Sequence, residues 1–272
     1  MFSEMEEKLK KARHFLLQKG FDEAELVFVL GSGLGEWHDY DVLAKVSYRE
    51  IPGFPRPTVE GHAGELVYAK RGRRKFFVMR GRFHYYEGYP MSEITFPVRV
   101  VASFGPEAIL ISSATGSLNP AWNPGEFVFI TDHINLIGEN PLRGYVGPDR
   151  FLDLSNLYDE DLRDFASRVA MKSGITVHEG IFVGMPGPTY ETPAEVQMLR
   201  KLGGDVVGMS MIPEAIVSHH VGLRVLGVAF ISNLASGLSN SPLTHEEVLE
   251  TVEKVRPMWN SFLSNFVDEV PL

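Results

Sequence analysis

Arginine, histidine and tyrosine alternate as Arg82, His84 and Tyr86 in "RGRFHYYEGYP" (80–90), directly after the apolar run "KFFVM". A guanidinium is a planar fork of fixed charge that matches phosphate oxygens, and alternate residues of an extended chain share one face. The pattern predicts one discrete anion clamp at a strand end, although a surface arginine beside two packed aromatics has the same pattern. A second candidate is "GSGLG" (31–35), where backbone N–H groups and the Ser32 hydroxyl can receive an anion. Its spacing is G-x-G-x-G, which departs from the dinucleotide fingerprint, and Glu36 stands where a triphosphate loop needs Lys then Ser or Thr. A plain strand-to-loop turn is the alternative. His62, in "VEGHAG", is placed to close over such an anion, or is simply an exposed loop residue.

Three further stretches carry polar groups suited to a heterocycle or a sugar. In "GPTYETPAEV", Thr192 and Glu195 form a capping box with Pro193 at the first helical position. That leaves Glu191 surplus to capping, either solvated or available to a ligand, with the flat face of Tyr190 beside it. The apolar strand "GVAFISN" ends at Ser232 and Asn233, placing an amide donor and acceptor where α/β sheets bind ligands. In "SPLTHEEV", Thr244 and Glu247 form another capping box and put His245 in the first helical turn. The helix dipole disfavours imidazolium there, so His245 reads as a neutral hydrogen-bond partner or as a plain surface residue.

Strand-like runs at 26–30, 65–70, 75–80, 108–113, 126–131, 175–183 and 224–232 alternate with helical patterns at 4–19, 93–104, 157–172, 193–202, 213–221 and 245–267. The layout is α/β. Strands that are apolar along their whole length, such as "RVLGVAFIS", suit a central sheet covered on both faces. The 272 residues show no repeat and no linker, which predicts one domain. The absence of cysteine excludes disulfides, thiolate chemistry and cysteine-type zinc sites. A net charge of −9 argues against broad contact with nucleic acid, so any bound anion needs a local pocket. No apolar run is long enough for a membrane span, and the charged, amphipathic first 20 residues lack signal-peptide character, which predicts a cytoplasmic protein. Adjacent His219 and His220 face apart on a helix and read as structural, and no metal motif occurs.

Taken together, "GSGLG", "GHAG", "GRFHYYEGYP", "TFPVRV", "DHINL", "NPLRG", "GPTYET", "VVGMS", "PEAIV", "ISN" and "THEEV" occur in an order that resembles the trimeric purine nucleoside phosphorylases over nearly the whole chain. The resemblance implies a single α/β domain with a central mixed β-sheet flanked by helices on both faces. It implies reversible phosphorolysis of purine nucleosides with inorganic phosphate as co-substrate, no metal, no organic cofactor, and a homotrimer.

Carried over by residue, it implies phosphate binding by Ser32, His62, Arg82, His84, Ala114 and Ser210, and ribose binding by Tyr86, Met209 and His245. Glu191 and Asn233 are implied to hold the base, with Tyr190, Val207, Gly208, Thr115 and Gly116 around it. Asn233, Glu191 and His84 are the implied catalytic groups, and Phe151 is implied to reach a neighbouring subunit's site. Asn233 and His245 favour 6-oxopurine nucleosides with a 5′-hydroxyl over methylthioadenosine. A non-catalytic nucleoside-binding protein and a nucleotide-dependent oxidoreductase are the other readings, disfavoured by the phosphate ligands and the glycine spacing. One departure stands out: Ser113-Ala114-Thr115-Gly116-Ser117 replaces the family's frequent Asn-Ala-Ala-Gly-Gly, and the added hydroxyls leave the exact base preference open.

Overall fold

The computed structural model describes residues 2–31, 34–56, 64–238 and 245–272, without the side chains of 2, 3 and 245–249. Among the described residues, nine strands form one mixed sheet: β1 (Leu26–Leu30), β2 (Asp41–Ser47), β3 (Glu65–Arg71), β4 (Arg74–Arg80), β5 (Ala108–Ser117), β6 (Phe127–Asn135), β7 (Val177–Gly184), β8 (Val206–Gly208) and β9 (Arg224–Leu234). Their order is β2-β3-β4-β1-β5-β8-β7-β6-β9, and β9 also pairs with β5, so β5, β8, β7, β6 and β9 close into a ring. Strand β1 lies parallel to both β4 and β5, and β5 is parallel to β9, so the carboxyl ends of these four strands point the same way.

Seven α-helices among the described residues flank the sheet: α1 (Phe2–Gln18), α2 (Met91–Ile94), α3 (Phe96–Ala102), α4 (Glu160–Lys172), α5 (Pro193–Lys201), α6 (Ile212–His220) and α7 (His245–Glu269). The alternation of β1 divides the core. Val27 and Val29 pack with α1, α3 and α6 on one face, while Leu26, Phe28 and Leu30 pack with α4 and α7 on the other. Helices on both faces are why β1 is apolar at every position.

Two strands and one helix differ from the sequence reading. β2 is an edge strand whose first five residues are largely solvent-facing, so no buried period marks it. β8 has only three residues. The helix expected at 93–104 is broken at Thr95, because Pro97 has no N–H to offer and its ring collides with the carbonyl four residues back.

Candidate active site

A cavity of about 190 Å³ opens at the carboxyl ends of β1, β5 and β9. One end is built for an anion. Arg82, which follows β4, is buried, and its Nη2 donates to the carbonyls of Val29 (3.3 Å), near the end of β1, and Ser112, midway along β5. Gly31 makes this possible: a Cβ there would lie 2.9 Å from the Ser112 carbonyl oxygen and 3.5 Å from Arg82 Nη2. The Nε and Nη1 of Arg82 have no hydrogen-bond partner among the described residues, and Nη1 lies 3.4 Å from Oε2 of buried Glu214 on α6. Burial pushes the Glu214 carboxyl up, against the pull of Arg82, His84 and the Met211 backbone N–H.

His84 stands beside this arginine. Its backbone N–H donates to Glu87 Oε1 at 2.7 Å and its Nδ1 lies 3.1 Å from the same oxygen, so Glu87 fixes the ring's orientation. The sequence suggested that Tyr86 joins His84 by strand alternation. Instead Tyr86 lies in a 3-10 turn, Tyr85–Glu87, and stacks on the imidazole with ring centres 4.7 Å apart and planes 12° from parallel. Burial, reinforced by the Glu87 carboxylate, pushes the Tyr86 phenol up to about 12, so its O–H remains a donor at neutral pH. Ser210 lines the same end, with its hydroxyl 2.7 Å from that of Ser113.

The other end combines an amide with a carboxylate. Asn233 donates from Nδ2 to the Leu234 carbonyl at 2.9 Å, and its Oδ1 accepts from Ser232 Oγ at 2.6 Å. A carbonyl can only accept, so this arrangement fixes which side of the amide is NH₂. Glu191 lies just before the α5 capping box, which forms as expected: Thr192 Oγ1 accepts from the Glu195 N–H and Glu195 Oε2 from the Thr192 N–H, at 3.2 and 2.7 Å. Burial raises the Glu191 carboxyl, and the nearby Glu195 charge adds to the shift. Gly187, at φ 65°, brings this loop against Met209 and Tyr86; a Cβ there would lie 2.4 Å from Met209 Sδ.

The cavity thus brings together Arg82, His84, Ala114 and Ser210 with Tyr86, Met209, Glu191, Asn233, Tyr190, Val207, Gly208, Thr115 and Gly116. Phe151 is 87% exposed and does not line it. Ser32 and His62 lie outside the described residues, as does the side chain of His245; only the backbone start of α7 at that position is described. The departure at 113–117 is less disruptive than its hydroxyls suggest. Thr115 Oγ1 donates to the Phe230 carbonyl at 3.1 Å and Ser117 Oγ to the Asn119 carbonyl at 2.9 Å, so both protons are committed to backbone. Sequence reasoning missed Glu87 and Glu214. The available signals were an acid three residues after His84 and a lone acid inside the apolar run "MIPEAIV".

Among the described residues, no cluster of His, Asp and Glu could hold a metal ion, and no helix is long and apolar enough to cross a membrane.

The model of the phosphorylase superfamily matches residues 25–268. Purine nucleoside phosphorylase 1 of Geobacillus stearothermophilus is 46% identical over 266 residues, covering 95% of this chain and 96% of that protein. Purine nucleoside phosphorylase of Bos taurus is 40% identical over 272 residues, covering 95% and 93%. Among solved structures, the Schistosoma mansoni purine nucleoside phosphorylase in complex with inosine superposes with a TM-score of 0.88 at 37% identity, covering 98% of this chain and 97% of that one.

Proposed function

The chain belongs to the phosphorylase superfamily, and from that premise we propose that it catalyses the reversible phosphorolysis of purine ribo- and 2′-deoxyribonucleosides, inosine and guanosine first among them. The observation that carries this reading is the joining, in one cavity, of a buried arginine whose Nε and Nη1 have no partner among the described residues to an amide and a carboxylate at the far end.

Phosphate oxygen attacks the anomeric carbon while the glycosidic electron pair leaves with the purine. The proton that phosphate gives up on becoming a monoester dianion passes through solvent to the departing purine, so the products are free base and (deoxy)ribose 1-phosphate. Positive charge grows on the sugar and negative charge on the base. Arg82, His84, Ser210 and the backbone at Ala114 hold phosphate under the sugar, with Ser32 and His62 as further ligands. Tyr86, Met209 and His245 hold the ribose. The second N–H of Asn233 Nδ2 donates to ring nitrogen 7 or the 6-oxygen as charge collects there, a transition-state contact worth roughly 3 kcal/mol in comparable sites. Glu191, ionised, accepts the ring N–H of a 6-oxopurine, and Tyr190, Val207, Gly208, Thr115 and Gly116 bound the base. Phosphate is both nucleophile and counter-charge, so neither a protein nucleophile nor a metal takes part.

The active form is a homotrimer in which the exposed ring of Phe151 covers a neighbour's nucleoside. Release of hypoxanthine from inosine with and without phosphate tests the reaction. Release should require phosphate and yield ribose 1-phosphate in equal amount; base release without phosphate refutes it.

A further inference from the structure

Glu214 has no part in the reaction as derived, yet its side chain is only 6% exposed and its Oε2 lies 3.4 Å from Arg82 Nη1 without a hydrogen bond. It is not what holds the guanidinium in place. The carbonyls of Val29 and Ser112 do that through Nη2, from two neighbouring strands, β1 and β5. What Glu214 supplies is charge. The groups around it are few: Arg82 and His84 on the segment after β4, Tyr48 from the turn after β2, and the backbone N–H of Met211 at the start of its own helix. His84 is in turn engaged by Glu87, and the Tyr48 hydroxyl donates to the Gly81 carbonyl at 2.9 Å. Arg82 is thus the one permanent cation beside the Glu214 carboxylate among the described residues.

A buried arginine in an otherwise empty site is costly unless compensated. A phosphate dianion seated on the same guanidinium meets a fixed negative charge a few ångströms away, and the two anions compete for one cation. Resting on the reading of Arg82 as the phosphate clamp, we propose that Glu214 is a resident counter-anion: it neutralises Arg82 in the empty site and holds phosphate affinity down, so that the co-substrate exchanges between turnovers.

Glu214→Gln keeps the shape and removes the charge. Calorimetry with inorganic phosphate should then give a Kd lower by about tenfold, the order expected for deleting a like charge at this range in a partly desolvated site. The KM for phosphate should fall with it while the KM for inosine stays unchanged. The phosphate-free variant should melt below wild type, and added phosphate should raise its Tm by more. A merely structural role for Glu214 predicts the opposite sign, with phosphate bound more weakly or both KM values disturbed, and either result overturns the proposal, as does an unchanged Kd. Glu214→Asp withdraws the charge by one methylene and should bind phosphate with a Kd between the two. If the Gln variant fails to fold, the Asp variant decides by the same sign: tighter binding supports the proposal, and equal or weaker binding overturns it. Arg82→Met separates the two layers of inference, because a variant that still binds phosphate like wild type refutes the clamp itself and the counter-anion with it.

Discussion

Replacing Asn233 by aspartate tests the leaving-group end of the site through a single atom change, NH₂ for O. In the native arrangement Nδ2 sits 2.9 Å from the Leu234 carbonyl oxygen and Oδ1 sits 2.6 Å from the Ser232 hydroxyl. Aspartate keeps the Ser232 contact but sets a carboxylate oxygen against the Leu234 carbonyl, two acceptors with no proton between them. The lost bond and the uncompensated acceptor cost about 1–3 kcal/mol of stability, and the repulsion pushes the new carboxyl's pKa up, because only its protonated form can donate to Leu234. For inosine, the donor to ring nitrogen 7 or the 6-oxygen is gone, and comparable donors are worth about 10²–10³ in kcat. For adenosine, the ionised acid gains an acceptor for the exocyclic amine, worth about tenfold. The ratio of kcat/KM for adenosine to that for inosine should therefore rise by at least about 10². A second signature follows from the sign of the pKa shift: as pH falls, the acid takes up one proton, which the Leu234 carbonyl claims, so the ionised acceptor for adenosine is lost and the adenosine-to-inosine ratio should fall back toward that of wild type. The assay is kcat/KM for both nucleosides at saturating phosphate between pH 5.5 and 8. An unchanged ratio refutes the assignment of Asn233 to the base, and a changed ratio without the pH signature refutes the role given to the Leu234 carbonyl.

Glu191 accepts from the base most strongly when ionised, and burial together with Glu195 raises its pKa; kcat/KM for inosine should decline on the acid side at a higher pH than an ordinary carboxylate gives, and Glu191→Gln should remove that limb, which a pH series on both proteins reads directly. Gly187→Ala forces a side chain onto a φ of 65° with its Cβ 2.4 Å from Met209 Sδ; it should cost about 1–2 kcal/mol in stability and raise the KM for nucleoside more than that for phosphate, measured by thermal melting and by initial rates with each substrate varied.

The elements that were legible in the sequence are those whose burial is complete. β1 is apolar at each of its five residues because helices cover both faces, and its limits coincide with the run that predicted it. The edge strand β2 packs on little and carries no period, so only its pairing with β3 reveals it. The chemistry was legible where residue type alone is unusual: an arginine emerging from an apolar strand, an acid surplus to a capping box, an amide ending a core strand. Glu214 was not, because in one dimension a glutamate among Ile, Pro, Ala and Val looks like the polar stripe of an amphipathic helix. Its neighbours on α6, Ile212 through Ser218, are in fact all buried. That burial turns an ordinary acid into an internal charge, and the apolar run around it is a weak local trace of that burial.

The remaining part that sequence could not supply is where regular geometry breaks, and it breaks twice at the cavity. β5 and β9 run in register to Thr115 opposite Ile231 and resume with Gly116 opposite Asn233, so Ser232 is an extra residue in the ladder. In an unbroken strand Ser232 and Asn233 would face opposite sides of the sheet; with the bulge both line the cavity, and the serine hydroxyl, shared between the Thr115 carbonyl at 3.1 Å and Asn233 Oδ1 at 2.6 Å, orients the amide. The second break is at Met211, whose φ of 65° and ψ of −58° allow Ile212 N–H to reach the Ser210 carbonyl at 2.8 Å, a strained γ-turn. Such a conformation costs on the order of 1–3 kcal/mol and persists only where its surroundings over-determine it; here Met211 and Ile212 are completely buried. The turn lets Met209 and Ser210 line the cavity while α6 starts at once and carries Glu214 behind Arg82. Each end of the site therefore depends on one local departure from the rule that shapes the rest of the fold, which is where a strained, function-bearing geometry is expected.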